Sequence, residues 1–137
     1  MGLILDTSIL IAAERKSEAP EDILMRARNT FGQVDTAIST ITVVELTHGI
    51  YRATSQSAQT RRRQFTESAF RILILIPVSF EIAQLAGKVE GQQAAKGVVI
   101  PFADLLIAAT AIYLGFDVAT HNLRHFQLIP GLNVVSL

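Results

Sequence analysis

Three acids stand among residues that are otherwise apolar, and their placement is the first chemical signal in the chain. Asp104 belongs to the segment Pro101 to Leu114, PFADLLIAATAIYL, which carries no other charge. A helix that apolar is buried nearly all round. An ionised carboxylate on it is costly unless it is paired, capped or bound to a cation. Stabilisation of the helix start through the dipole, worth roughly 0.3 to 1 kcal/mol, is the simpler role, although an exposed acid would supply it equally well. Asp6 follows the apolar run Gly2 to Leu5, where capping of the next helix is the simpler role. Glu45 lies beside Val43, Val44 and Leu46 and by itself reads as a surface acid. Taken together, all three fall at strand carboxyl ends or in the opening turns of helices, and a doubly wound sheet gathers such positions on one rim. Three neighbouring carboxylates repel one another and tend to take up protons unless a divalent cation neutralises them. Hard oxygen ligands with no cysteine and no histidine-rich set point to Mg²⁺, or Mn²⁺, rather than zinc.

A second cluster, Thr120-His121-Asn122-Leu123-Arg124-His125-Phe126, begins at the end of a strand and therefore on the same rim. Asn122 offers a neutral oxygen ligand, or else a turn or helix cap. His121 and His125 are candidates for acid, base or phosphate contacts, but lone histidines near loops are more often ordinary polar residues, and neither is assigned a catalytic role. Thr7 and Ser8 are placed to hydrogen-bond Asp6 or a metal-bound water, with capping as the alternative.

Those positions imply a set of elements to hold them. Gly2 to Leu5 reads as a strand buried on both faces, followed by a short helix over Ile9 to Glu14. Pro20, with Glu21 and Asp22 behind it, opens a second helix continued by Ile23, Leu24, Ala27 and Phe31. Thr36 to Ser39 is a strand, and Thr40 or Thr42 caps a third helix running through Glu45 toward Tyr51. Ser55 to Thr60 reads as a polar connection, Arg61 to Phe70 as helix and Ile72 to Val78 as a buried strand. Ser79 caps a helix that Gly97 closes, Pro101 starts another that Gly115 ends, and Val118 to Thr120 and Val134 to Leu137 are short strands. Alternating strands and helices, with near-continuous apolar character in the strands, predict one α/β domain over residues 1–137. Its expected form is a three-layer α/β/α sandwich with a central, mainly parallel sheet.

Composition narrows the function classes. The 137 residues include no cysteine, which excludes a disulfide frame, a thiolate metal site and a cysteine nucleophile. Half of the residues are hydrophobic and 18% are charged, which excludes a disordered chain. The apolar windows Ile72 to Pro77 and Leu105 to Leu114 fall short of the roughly 20 residues of a membrane-crossing helix. No basic stretch precedes the first apolar run, so no secretory signal is read, and the cytoplasm is the expected location. Twelve Lys and Arg balance twelve Asp and Glu, which argues against binding nucleic acid by bulk charge. The distribution is uneven, however: residues 51–75 hold Arg52, Arg61, Arg62, Arg63 and Arg71 against Glu67 alone. Arg61 to Arg63 in a row spread around a helix, so a solvated face is the expected role, with phosphate contacts as the alternative.

The segments Leu3 to Ser8, Glu45 in TVVEL, Asp104 in FADLLIAATA and Thr120-His121-Asn122 through Phe126 together resemble a PIN domain. More narrowly the chain is similar to the VapC-like toxins, ribonucleases of type II toxin-antitoxin pairs, over nearly its whole length and in the same motif order. The resemblance implies a parallel α/β/α fold, Mg²⁺ or Mn²⁺ dependence, hydrolytic cleavage of RNA, a homodimer and a cognate antitoxin. Carried over position by position, Asp6, Glu45 and Asp104 match the three acids that gather metal in that family. Asn122 stands where many PIN domains have a fourth acid, and an amide brings no charge to a second metal.

The expected activity is therefore a metal-dependent endoribonuclease, with Asp6, Glu45 and Asp104 as catalytic and metal-holding residues. Thr7, Ser8, Thr120 and Asn122 are the supporting or substrate-contacting residues. A phospho-acceptor signalling domain also places acids at strand ends, but Ile72 to Ser79 contains no Asp and Thr120 to Phe126 no Lys. The remaining alternatives are a catalytically silent PIN-like domain that binds RNA or a protein, and a nuclease of this fold that is not a toxin. The RNA target, the antitoxin and its face, and any substrate contact by His121, His125 or Arg61 to Arg63 are not specified by the sequence.

Overall fold

The computed structural model describes residues 1–137. Five strands, β1 (Gly2–Leu5), β2 (Asp35–Ser39), β3 (Ile74–Ile76), β4 (Asp117–Ala119) and β5 (Val134–Val135), form one sheet in the order β3-β2-β1-β4-β5, every pair parallel. Seven helices connect them: α1 (Thr7–Arg15), α2 (Pro20–Phe31), α3 (Thr40–Tyr51), α4 (Gln56–Ile72), α5 (Phe80–Ala94), α6 (Phe102–Leu114) and α7 (Leu123–Phe126). Parallel strands need such crossovers, because a tight hairpin joins only antiparallel neighbours.

Period-two alternation sends successive strand residues to opposite faces. Ile4, Ala37 and Val118 join α5 and α6 in one core, where Leu105 to Ala111 and Phe126 are buried. Leu5, Ile38 and Ala119 join α1, α2, α3 and α4 in the other, through Ile9, Leu10, Ile23, Leu46 and Phe65. Two cores on the two faces of one sheet make the predicted α/β/α layers. At Gly2 the Phe116 ring packs so close that an added Cβ would collide with it unless the ring moved.

Several boundaries differ from the sequence reading. The run Ile72 to Val78 is not a buried strand: α4 extends to Ile72, and only Ile74 to Ile76 pair. Ile74 and Leu75 remain 44% and 41% exposed, because β3 is the sheet edge and has β2 as its single neighbour. An apolar run does not distinguish an edge strand from a central one. The polar stretch after Ser55 is the first turn of α4 rather than a connection, since Ser55 Oγ accepts from the Ala58 amide at 3.1 Å. Likewise α3 is capped by Ser39, whose Oγ accepts from the Ile41 amide at 3.2 Å, and not by Thr40 or Thr42. Both threonines are thereby freed for other bonds. The last strand is shorter than expected and stops at Val135.

Ser79 caps α5 as expected, accepting from the Ile82 amide at 3.2 Å. Its replacement by Ala should cost about 1 kcal/mol, read as a lower urea midpoint at unchanged m-value. Gly115 ends α6 in the left-handed region at φ +69°. No helix is long and apolar enough to cross a membrane.

Candidate active site

The sheet order decides which residues meet. Central β1 pairs with β4 through Leu5 and Ala119, and with β2 through Ile4 and Ala37. The residues that follow β1, β2 and β4, namely Asp6, Thr40 and Thr120, therefore emerge on one rim. Asp6 is 3% exposed and its amide donates to the Ala119 carbonyl at 2.9 Å. It occupies the position before α1, yet its side chain makes no capping bond. Its Oδ2 instead accepts from Ser8 Oγ and from Thr120 Oγ1, both at 2.7 Å. Two hydroxyls on one oxygen hold the carboxylate in place and leave Oδ1 without a hydrogen bond.

Glu45 is held from the neighbouring helix. Thr7 Oγ1 donates to Glu45 Oε1 at 2.6 Å and lies 3.0 Å from Thr42 Oγ1. Thr7 has one hydroxyl proton, and the ionised carboxylate can only accept. The Thr7 proton thus goes to Glu45 and the Thr42 proton to Thr7, a directed chain of buried hydroxyls. Partial burial pushes the Glu45 carboxyl above its ordinary value of 4.5. The Thr7 bond opposes this, and the charges of Asp6 and Asp104 add to it.

Asp104 sits in the first turn of α6 with its side chain 13% exposed. Its partner is His125, whose Nδ1 lies 2.7 Å from Asp104 Oδ2. Burial raises the Asp104 carboxyl above its ordinary 3.8; the His125 hydrogen bond and charge pull it down, while Asp6 pushes it further up. The three acids therefore share one electrostatic neighbourhood, as their positions in the sequence predicted.

This donor set fits a hard divalent cation. The neighbouring charges raise the proton affinity of Glu45 and Asp104, which a bound cation would relieve, and Asp6 has an oxygen to spare. The arrangement is an open one. No three acid or imidazole side chains converge into a closed cage, because Glu45 turns to Thr7 and Asp104 to His125. Direct ligation by all three acids therefore requires those side chains to rearrange.

Among the other predicted residues, Thr7, Ser8 and Thr120 are all joined to the acids. Ser8 Oγ and Thr120 Oγ1 additionally accept from the amides of His121 and Asn122, at 3.2 and 2.8 Å, which docks the 120–122 turn onto Asp6. Asn122 is held there by its backbone; its exposed side chain makes no hydrogen bond and does not cap α7. Replacing Thr7 by Val removes the one donor to Glu45. That substitution should raise the Glu45 pKa further and lower turnover about 10-fold, measured by carboxyl NMR titration and initial rates.

Two residues of this network were not assigned from sequence. His125 has no assigned role in the sequence, although a buried Asp104 demands a partner and the 120–126 cluster lies on the same rim. Thr42 is one of two cap candidates in the sequence, and nothing local marks it as a donor to Thr7.

The parallel sheet and the acids along its carboxyl rim define a PIN domain, and the PIN domain family model matches residues 3–132. Among the relatives, Ribonuclease VapC of Rickettsia bellii is 34% identical over 137 residues, covering 100% of this chain and 97% of that protein. The tRNA(fMet)-specific endonuclease VapC of Salmonella typhimurium is 31% identical over 134 residues, covering 98% and 96%. The chain belongs to the PIN-domain family, in its VapC ribonuclease branch. Its fold is similar to that of DNA-bound VapBC from Salmonella typhimurium, with a TM-score of 0.84 and 26% identity, covering 99% of this chain and 98% of that one. VapBC2 from Rickettsia felis, bound to a DNA fragment from the promoter, matches at a TM-score of 0.81 and 25% identity, covering 100% and 99%.

Proposed function

We propose that this chain is a Mg²⁺- or Mn²⁺-dependent endoribonuclease, the toxin of a type II toxin-antitoxin pair, that hydrolyses RNA phosphodiester bonds in the cytoplasm. The observation that carries the reading is the coupled trio Asp6, Glu45 and Asp104 on one sheet rim, each held by a dedicated hydrogen-bond partner. Its relatives named as ribonucleases support the reaction, and its neighbours solved as VapBC complexes support a cognate antitoxin. A homodimer is part of the same proposal.

Asp6, Glu45 and Asp104 would hold the cation, which when bound supplies Lewis acidity toward a phosphoryl oxygen and toward an attacking water. The chain's own work is orientation. Ser8 and Thr120 fix Asp6 through Oδ2 and so present Oδ1. Thr42 and Thr7 align Glu45, and His125 aligns Asp104. Such partners set the direction and basicity of metal-holding carboxylates. With an amide at position 122, three carboxylates remain, a charge that one divalent cation largely balances. Asn122 then offers a neutral donor and acceptor to a water or to the substrate.

The test is cleavage of total RNA by purified, antitoxin-free protein with Mg²⁺, with Mn²⁺ and with EDTA. Discrete fragments that require the metal are expected, and mapping the cuts names the target. A folded protein that binds metal but cleaves no RNA would instead favour a silent binding domain.

A further inference from the structure

The basic island read from the sequence folds back toward the acids. α4 packs against α3, and Arg62 Nη1 donates to the Gly49 carbonyl at 2.7 Å. That bond fixes the guanidinium while leaving its other donors free. A cleft of about 340 Å³ opens between α1, α3 and α4, lined by Arg15, Arg52, Arg62 and His48, with Glu14 as an opposing acid and Glu45 from the rim. Arg61 joins Arg15 and Arg62 along the adjoining hollow. None of these four arginines has a carboxylate within 4 Å, since the chain's ion pairs are Arg26 with Glu18 and Asp104 with His125. Guanidiniums gathered in a cleft without carboxylate partners suit an anion, and their planar forks match phosphate.

We propose that this cleft binds the phosphate backbone of a single RNA strand through Arg15, Arg52 and Arg62 and leads that strand to Glu45. The proposal rests on the nuclease reading and adds the path by which substrate reaches the acids. RNA is favoured over an acidic protein segment because Glu45, one of the proposed metal-holding acids, lines the same cleft. A single strand is favoured over a duplex because backbone units enter a cleft of this size singly. Arg62 is the anchored contact, while Arg15 and Arg52 are exposed, make no side-chain hydrogen bond and can close on the strand. The neutral net charge is no obstacle, because the positive charge is local.

The test is fluorescence anisotropy of a short labelled single-stranded RNA with the full chain in EDTA, over a salt series. Each phosphate neutralised contributes about 0.7 to the slope of log K against log salt, so three contacts give a slope near ~2. Arg15→Ala with Arg52→Ala should lower the slope by about 1.4 and weaken binding on the order of 10-fold, with thermal melting unchanged. Arg28→Ala, in a hollow with Met1 and Asp35 at the amino ends of the strands, should alter neither. A double variant that binds RNA like the wild type, while the wild type cleaves RNA, overturns the cleft and leaves the nuclease reading standing. A wild type that cleaves RNA but has no affinity for it in EDTA also overturns the cleft. Wild-type protein that neither binds nor cleaves RNA removes both. Loss of binding to a poly-glutamate peptide, with RNA binding intact, would assign the cleft to a protein partner instead.

Discussion

Asp104→Asn is expected to lower RNA cleavage at least about 100-fold while the protein stays folded. Asparagine keeps the shape of the side chain, and its oxygen can still accept from His125, so the hydrogen bond at 2.7 Å survives. What disappears is a negative charge that burial already disfavours and that Asp6 repels. Removing it relieves the folded state and forfeits a small dipole gain at the start of α6, so stability should change by no more than about 1 kcal/mol. The wild type and the variant should therefore melt together and differ in turnover. Cleavage at the wild-type rate by a folded Asp104→Asn protein would remove Asp104 from the site.

A divalent cation should stabilise the wild type strongly and an Asp6→Asn variant hardly at all. Glu45 and Asp104 both have folded pKa values raised above their ordinary 4.5 and 3.8. Between those values and the raised ones, the native state binds more protons than the unfolded chain, so the contribution of this pair to stability falls as pH rises. The loss is complete once the pH exceeds the raised values. In EDTA the pair therefore stabilises the fold more at mildly acidic pH than at neutral pH. A bound cation reverses that trend, because ionised carboxylates are what it binds. At 100-fold excess over its Kd a ligand adds about 2.7 kcal/mol, on the order of 10 °C in Tm for a chain of this size. Differential scanning fluorimetry across pH, with EDTA, Mg²⁺ or Mn²⁺, reads the effect. Equal shifts in wild type and Asp6→Asn would place the cation elsewhere.

Much of the site was legible because its signals are local. Asp104 stood out as the lone charge of PFADLLIAATAIYL, and α6 is indeed buried from Leu105 to Ala111. Asp6 was marked by the apolar run before it, which reads as a strand buried on both faces, and β1 is the middle strand of the sheet. Serine caps and terminal glycines set helix ends well where one candidate stood alone, as at Ser79 and Gly115. They failed where several polar residues competed, as at Ser39, Thr40 and Thr42. The edge position of β3 was invisible because exposure of an apolar strand depends on how many neighbours the sheet gives it.

The sequence by itself determined the class of fold and marked three acids as candidates for a hard-cation site. Apolar periodicity, capping chemistry and the cost of a buried charge all act within a few residues of where they are written. Only the tertiary structure decided what each acid touches. Thr7 reaches Glu45 across 38 residues, His125 reaches Asp104 across 21, and Thr120 reaches Asp6 across 114. Those pairings follow from the strand order β3-β2-β1-β4-β5, which sets the β4 rim beside the β1 rim and folds α3 onto α1. The same packing turns Arg62, which along the helix looks merely solvated, into part of the wall of a cleft that Glu45 also lines. Contacts between distant segments depend on how whole layers stack, and no local spacing of residues encodes that.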